Sequence, residues 1–324
     1  MNKAIRFHEY GGSDVLRWEE CVAAEPGTGE VRIRHEAIGV NFVDIYQRSG
    51  LYTVPLPAIA GNEGAGVVES VGAGVSRVKA GDRVVYAGVM GSYSETRTIA
   101  ADRLCILPDG LSFEQGAAIM LKGLTVRYLI RRTYRVQQGD TVVFHAAAGG
   151  VGLIACQWLK SLGARVIGTA GSAQKCAVAL KNGADYCINY RTEDIVGRVR
   201  EITNGKGVPV VYDSVGKDTF DTSLQCLQPL GLLVSFGNAS GPVPPVNLGL
   251  LAQHGSLYVT RPTLATYIAD RSDLEAAAQE VFDAVLSGSV RTDINQRYQL
   301  KDAALAHHDL EMRKTTGSSI LLPR

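Results

Sequence analysis

The 324-residue chain has almost no net charge: 33 Lys and Arg stand against 32 Asp and Glu, a formal +1 with the histidines neutral. That balance supplies no long-range field to gather nucleic acid or an anionic membrane surface. Long apolar runs are missing too. No window of about 20 apolar residues exists, so no segment is expected to span a bilayer, and the opening MNKAIRFHEY has no apolar stretch of the kind a signal peptide needs. The six cysteines (Cys21, Cys105, Cys156, Cys176, Cys187, Cys226) contain no C-x-x-C pair. They read as reduced core thiols of a cytoplasmic protein. Aromatic residues make up only 7%, too few to suggest an aromatic–basic platform for nucleic acid. What is present is a 46% hydrophobic content with 36 glycines, an ordinary globular mixture with a large core. Length alone suggests two domains.

Two textures divide the chain. Residues 3–7, 31–37 and 64–71 alternate apolar with polar positions, and Gly11-Gly12 and Ala80-Gly81-Asp82 punctuate such runs, an all-β pattern. At Ser112 the texture changes. Ser112 with Glu114-Gln115, followed by Ala117, Ala118, Ile119 and Leu121, is the signature of a capped, buried helix start. Beyond Asp140, strands are expected at 141–145, 165–169, 186–188, 208–213 and 232–236, with helices at 151–162, 172–181, 192–203 and 219–227 between them. Apolar strands alternating with helices imply an α/β, doubly wound parallel sheet covered on both faces. Residues 247–260 have strand character, 274–286 form an amphipathic helix, and 297–300 and 319–322 read as strands that return the tail to the first domain.

The sharpest local signal is His145-Ala146-Ala147-Ala148-Gly149-Gly150-Val151-Gly152, directly after a strand and opening a helix. Small residues there let the backbone turn tightly and approach a pyrophosphate, whose charge rests on the amides of the helix amino terminus. The string is an A-x-x-G-x-x-G variant of the dinucleotide loop. The next strand selects the dinucleotide. An NAD site ends it with Asp or Glu, to accept from the ribose 2′-hydroxyl. Here Val166-Ile167-Gly168-Thr169 runs into Ala170-Gly171-Ser172-Ala173-Gln174-Lys175 with no acid. Gly171 leaves room for a 2′-phosphate, Ser172 can donate to it and Lys175 supplies positive charge; Tyr190-Arg191 would close the pocket. NADPH is the expected cofactor. A solvated Lys175 beside an uninvolved Ser172 is the plain alternative.

Gly61-Asn62-Glu63-Gly64-Ala65-Gly66-Val67-Val68, then Gly81-Asp82-Arg83-Val84, then the 146–152 loop, resemble the medium-chain dehydrogenase/reductase superfamily. Within it, Asn41-Phe42-Val43-Asp44-Ile45-Tyr46, Lys122-Gly123-Leu124-Thr125, Val211-Tyr212-Asp213-Ser214-Val215-Gly216 and Ser235-Phe236-Gly237-Asn238 are similar to the NADPH:quinone oxidoreductases related to zeta-crystallin. The resemblance runs end to end. It implies a GroES-like, β-rich catalytic domain over 1–124, a Rossmann NADPH-binding domain over 125–262, a return to the catalytic domain over 263–324, and a homodimer with residues 247–260 at its edge.

Zinc-dependent members of that superfamily present a catalytic Cys, a His in a G-H-E motif and a third Cys or Asp. At the matching positions this chain has Asn41 and Asn62, and an amide is a poor zinc ligand. His307-His308 lies on the carboxy-terminal helix pattern and offers no evident partner. No metal is expected. Without a Lewis acid, a quinone or an α,β-unsaturated carbonyl is the easier acceptor, because hydride addition places charge on a conjugated oxygen that ordered donors can hold.

The residues expected to serve that acceptor are Tyr46, Tyr52, Asn41, Asp44 and Lys122, although Asp44 and Lys122 have a mutual structural pair as their plain alternative. Beyond Gly171, Ser172, Lys175 and Tyr190, those expected at the cofactor are Thr125, Ala148, Gly149, Gly150, Val151, Ser214, Phe236, Gly237, Arg261, Pro262, Thr263 and Gly317. For Asp213-Ser214 a strand-end turn cap is the rival reading. The implied activity is zinc-independent quinone reduction by NADPH. An enone or alkenal double-bond reductase on the same scaffold is the alternative, and an NADPH-responsive nucleic-acid-binding or crystallin-like structural protein is the alternative of another class.

Overall fold

The computed structural model describes residues 2–323. The chain divides into two units: Met1–Leu124 with Ile268–Leu286 and Thr292–Arg324, and Thr125–Tyr267 with Ser287–Arg291.

The first unit is built mainly on antiparallel strands, with Ile294–Gln299 and Ser318–Leu322 pairing in parallel. Its larger sheet has seven strands and runs Ile294–Gln299, Ser318–Leu322, Glu30–Val40, Glu63–Val71, Arg83–Ala87, Cys105–Ile106, with Thr96–Ala100 also pairing on Glu30–Val40. The tail therefore does return: Ile320 pairs opposite Gly39. A smaller sheet places Asn2–Phe7 between Arg17–Cys21 and Ala58–Ile59. Val31, Ile33, Val68, Val84, Tyr86 and Ile99 alternate inward from four of these strands and close one core, as period-2 patterning requires.

The all-β expectation misses one α-helix, Phe42–Arg48. It is seven residues long, too short for a helical period to show in the sequence. Its ends are nonetheless chemically marked. The Asp44 carboxylate accepts from the Asn41 backbone amide at 2.8 Å, one half of a capping box. After the C-cap Ser49, Gly50 takes φ +81°, the left-handed conformation that ends helices. The capped start at Ser112 is realised in both directions: Gln115 N donates to Ser112 Oγ at 3.1 Å, and Ser112 N donates to Gln115 Oε1 at 2.9 Å. The helix behind it is Phe113–Tyr128.

The second unit holds a six-stranded sheet in the order Tyr186–Asn189, Arg165–Ala170, Thr141–Phe144, Val208–Asp213, Leu227–Ser235, Tyr258–Thr260, parallel throughout. Numbered along the chain this is 3-2-1-4-5-6, the doubly wound dinucleotide-binding order. Thr141–Phe144 is buried at every position, as a strand covered on both faces must be. The helix expected at 192–203 begins only at Ile195, because Asp194 caps it by accepting from the Val196 and Gly197 amides. Residues 247–260 are not one strand. Gly249–Gln253 is helical and only Tyr258–Thr260 joins the sheet, at its edge. The segment Ser287–Arg291 is held in this unit by Gln157, which accepts from Arg291 N at 2.8 Å and donates to Arg291 O at 3.2 Å.

No helix among the described residues is long and apolar enough to cross a membrane. All six cysteines are free, four of them buried.

Candidate active site

In the second unit, the expected cofactor residues fall at the carboxyl ends of all six parallel strands. Ala148–Val151 follow Thr141–Phe144, Gly171–Lys175 follow Arg165–Ala170, and Tyr190 follows Tyr186–Asn189. Ser214 follows Val208–Asp213, Phe236 and Gly237 follow Leu227–Ser235, and Arg261–Thr263 follow Tyr258–Thr260. Open α/β sheets bind ligands at this edge, where the strand order reverses, here between Thr141–Phe144 and Val208–Asp213. Thr125, buried on the helix Phe113–Tyr128, and Gly317, at φ +58° beside Asp293 in the first unit, are not among these strand ends.

The loop after the first strand is closed tightly. Ala146 takes φ +54°, and the helix Gly150–Ser161 starts from an extended Gly149. A Cβ on Gly152 would lie 2.4 Å from the Ala146 carbonyl oxygen, so helix and loop can meet only at glycine. After the second strand, a Cβ on Gly171 would come 2.5 Å from the Tyr190 hydroxyl, so the Tyr190 ring lies directly over the bare Gly171 backbone. Ser172 is the N-cap of the helix Ala173–Lys181: its Oγ accepts from Lys175 N at 3.2 Å and keeps its own hydrogen for donation. Lys175 stands half-buried in that helix's first turn.

A polar network that sequence reasoning passed over lies beneath these loops. Fully buried His145 is 2.9 Å from Thr169 Oγ1 through Nδ1 and 3.0 Å from Ser223 Oγ through Nε2; Ser223 in turn donates to Asp213 Oδ2 at 2.9 Å. Burial lowers the pKa of His145, which keeps the ring neutral. Ser223 gives its hydrogen to Asp213, so His145 carries its proton on Nε2 and accepts from Thr169. Asp213 also accepts from the Val215 and Gly216 amides and from Thr219. The strand-end cap is therefore Asp213's observed role.

In the first unit, the five expected acceptor residues fall into two groups, Tyr46 with Tyr52 and Asn41, Asp44 and Lys122 in a buried polar network. Tyr46 is buried and Tyr52 is 37% exposed, their rings edge to face with centroids 5.2 Å apart. Tyr52 N donates to Tyr46 O at 2.9 Å. Asn41, Asp44 and Lys122 are all buried; Asn41 and Lys122 meet at Glu63, which has no exposed surface, and Asp44 joins through the Asn41 backbone amide. Glu63 Oε2 accepts from Asn41 Nδ2 at 2.9 Å and from Lys122 Nζ at 3.2 Å, and Oε1 accepts from Leu121 N at 2.7 Å. Lys122 is thus paired with Glu63, and the mutual Asp44–Lys122 pair is not what forms.

Asp44 faces donors on every side. Beyond the Asn41 amide, Asn62 Nδ2 reaches Oδ1 at 2.7 Å and the Tyr93 hydroxyl reaches Oδ2 at 3.1 Å. Burial pushes its pKa up to about 6, and the Asn62, Asn41 and Tyr93 hydrogen bonds with the nearby Lys122 charge keep it from rising further. His307, expected to stand without partners, is buried between Tyr93 Oη at 2.9 Å and Arg48 at 3.4 Å. Burial and the Arg48 charge lower its pKa to about 3. Among the described residues no three His, Cys, Asp or Glu side chains converge as a metal site. The amides of Asn41 and Asn62 are occupied as donors to carboxylates.

Two family profiles match the chain: a zinc-binding dehydrogenase over residues 150–283 and an alcohol dehydrogenase GroES-like domain over 27–117. A quinone oxidoreductase of Pseudomonas aeruginosa is 57% identical over the full length of both chains. The chain belongs to the quinone oxidoreductase family of the medium-chain dehydrogenases/reductases.

The crystal structure of the Escherichia coli quinone oxidoreductase complexed with NADPH shares this fold with a TM-score of 0.98 at 55% identity, all of both chains being covered. A 2-haloacrylate reductase of a Burkholderia species is 43% identical, again over both full lengths. In this member of the quinone oxidoreductase family, the residues that sequence reading missed are Glu63, Tyr93, His307 and Arg48. Glu63 lies within the Gly61–Val68 motif, where Asn62, at the position of a zinc ligand, carries the stronger chemical signal. Tyr93, His307 and Arg48 are far apart in the chain, and no spacing rule connects them.

Proposed function

We propose that this chain is a zinc-independent NADPH:quinone oxidoreductase. The observation that carries the reading is the full-length likeness, at 55% identity and a TM-score of 0.98, to a quinone oxidoreductase solved with NADPH. The residues at the strand ends suit that cofactor. The tight loop that closes on Gly152 and the amides opening Gly150–Ser161 suit a pyrophosphate, while Ser172 and Lys175, in place of an acid, suit a 2′-phosphate. NADPH, when bound, supplies the hydride.

The chain's own residues prepare the acceptor. Tyr46 and Tyr52 offer an aromatic corner against which a planar ring can lie. Asn41 and Asn62 are held rigidly by Glu63 and Asp44, so that polar groups near the acceptor need no reorganisation. The proposed placement of Thr125, Ser214, Phe236, Gly237, Arg261, Pro262, Thr263 and Gly317 around the cofactor rests on the resemblance.

We further propose a cytoplasmic homodimer. The six free cysteines suit a reducing compartment. The edge strand Tyr258–Thr260 exposes Tyr258 at 61% and Val259 at 40%, surface that a second copy would cover. The near-zero net charge speaks against nucleic acid as a partner.

The test is NADPH oxidation in the presence of a chelator, with 9,10-phenanthrenequinone, 1,4-benzoquinone and a simple enone as acceptors and NADH in parallel. Chelator-indifferent quinone reduction is the expected outcome. Turnover of the enone with idle quinones would replace this reading with a double-bond reductase, and tight NADPH binding without turnover would leave a binding protein.

A further inference from the structure

The Lys122 side chain is 6% exposed, and among the described residues its one hydrogen-bond acceptor is Glu63. An ammonium carries three N–H donors and no acceptor, so two donors of a buried cation remain uncommitted. Burying a charge is costly unless it is paired and hydrogen-bonded. This chain has nevertheless built the arrangement deliberately. Glu63 is oriented by Leu121 N on one oxygen and Asn41 Nδ2 on the other. Room for the carboxylate exists only because residue 39 is glycine: a Cβ there would lie 2.0 Å from Glu63 Oε2.

We propose that Lys122, held by Glu63, is a catalytic residue that donates a hydrogen bond to the acceptor oxygen on which negative charge builds. The inference rests on the quinone reductase reading. In that reaction the quinone gains a hydride, one proton with two electrons, from the reduced nicotinamide, whose C–H bond breaks to leave the oxidised nicotinamide cation, and the quinone becomes the hydroquinone monoanion. One proton from solvent then completes the hydroquinone, and Lys122 stays an ammonium throughout. Glu63 is a positioning residue. It fixes the ammonium and uses one of its donors, leaving the other two for the substrate. A preorganised donor of this kind in a water-poor site contributes about 10²–10³-fold in rate.

The experiment compares the wild type with Lys122→Met/Glu63→Gln, which removes both charges together and keeps the side-chain shapes. NADPH affinity is read from nicotinamide fluorescence, and kcat/KM is read with 1,4-benzoquinone. The double variant is expected to keep its NADPH affinity within about twofold while kcat/KM falls about 10²–10³-fold. A kcat/KM within a few-fold of wild type overturns the proposal, as do parallel losses in NADPH affinity and turnover, which would make the pair structural. A second readout needs no variant. 4-Nitrophenol titrated with wild-type enzyme and NADP⁺ should show the phenolate spectrum below its solution pKa, because a cation beside the oxygen favours the anion. An unshifted spectrum overturns the proposal even if the double variant does not fold. Failure of the wild type to reduce any quinone would instead overturn the functional reading, and the inference with it.

Discussion

The Tyr93 hydroxyl stands 3.1 Å from Asp44 Oδ2 and 2.9 Å from His307 Nε2, one hydrogen between two acceptor-capable atoms. Its direction is settled further along. Arg48 carries only donors, so His307 Nδ1 must accept from it and Nε2 must hold the proton. Nε2–H then donates to Tyr93, and Tyr93 donates to Asp44. Arg48 itself is fixed by Glu311, 2.6 Å away and at the more exposed end of the chain of contacts.

Tyr93→Phe removes the last donor in this chain. Asp44 then loses one of the groups that hold its pKa near about 6, and the pKa should rise. The acid limb of quinone kcat/KM is expected to move up by about one pH unit, with stability falling by about 1.5–3 kcal/mol for a lost hydrogen bond to a charged group. Rate–pH profiles and denaturant unfolding check this; an unmoved acid limb would mean that the ionisation of Asp44 does not govern the site.

Two buried histidines should make the first unit sensitive to acid. His35 and His307 both have pKa values lowered to about 3, by burial first and then by Arg97 and Arg48 respectively. A depressed pKa contributes stability above the unfolded value of about 6.5 and loses it as pH falls toward the folded value. By about pH 5 each histidine should have cost roughly 2 kcal/mol. Asp44 works the other way, since its raised pKa favours the folded state as pH falls through about 6. Melting temperatures between neutral pH and about pH 5 should fall less steeply in His307→Gln than in the wild type.

Lys175→Ala tests the choice of dinucleotide. If Lys175 meets the 2′-phosphate, NADPH affinity should weaken by about tenfold or more, equivalent to about 1.4 kcal/mol, with little change for NADH. Fluorescence titration with both nucleotides decides it. Equal losses would return Lys175 to a solvated helix position.

Gly152→Ala tests the loop closure. In an ordinary helix this change would stabilise by about 1 kcal/mol. Here the added carbon lies 2.4 Å from the Ala146 carbonyl oxygen and 2.7 Å from Ala147 backbone atoms, none of which can rotate away. The expected result is a net loss of about 1–3 kcal/mol and weaker NADPH binding, measured by thermal unfolding and titration.

The sequence alone determined whatever is written locally. Residues 141–152 announce a buried strand, a tight turn and a helix start within twelve consecutive positions, and the missing acid after the second strand is equally local. A doubly wound parallel sheet followed, because apolar strands alternating with helices have few right-handed ways to pack, while the strand order itself is read from the structure. Short elements were less legible: the seven residues of Phe42–Arg48 carry too little periodicity, and residues 247–260 mix helix and strand in one apolar stretch. Tertiary structure alone decided the buried polar partners. Lys122 meets Glu63 rather than Asp44, and Arg48, Tyr93 and His307 meet although they lie on different elements. The reason is physical. Apolar burial is non-directional and leaves a periodic trace in the chain. A buried hydrogen bond depends on which two atoms come within about 3 Å, and that is fixed only after the strands have paired and the helices have docked.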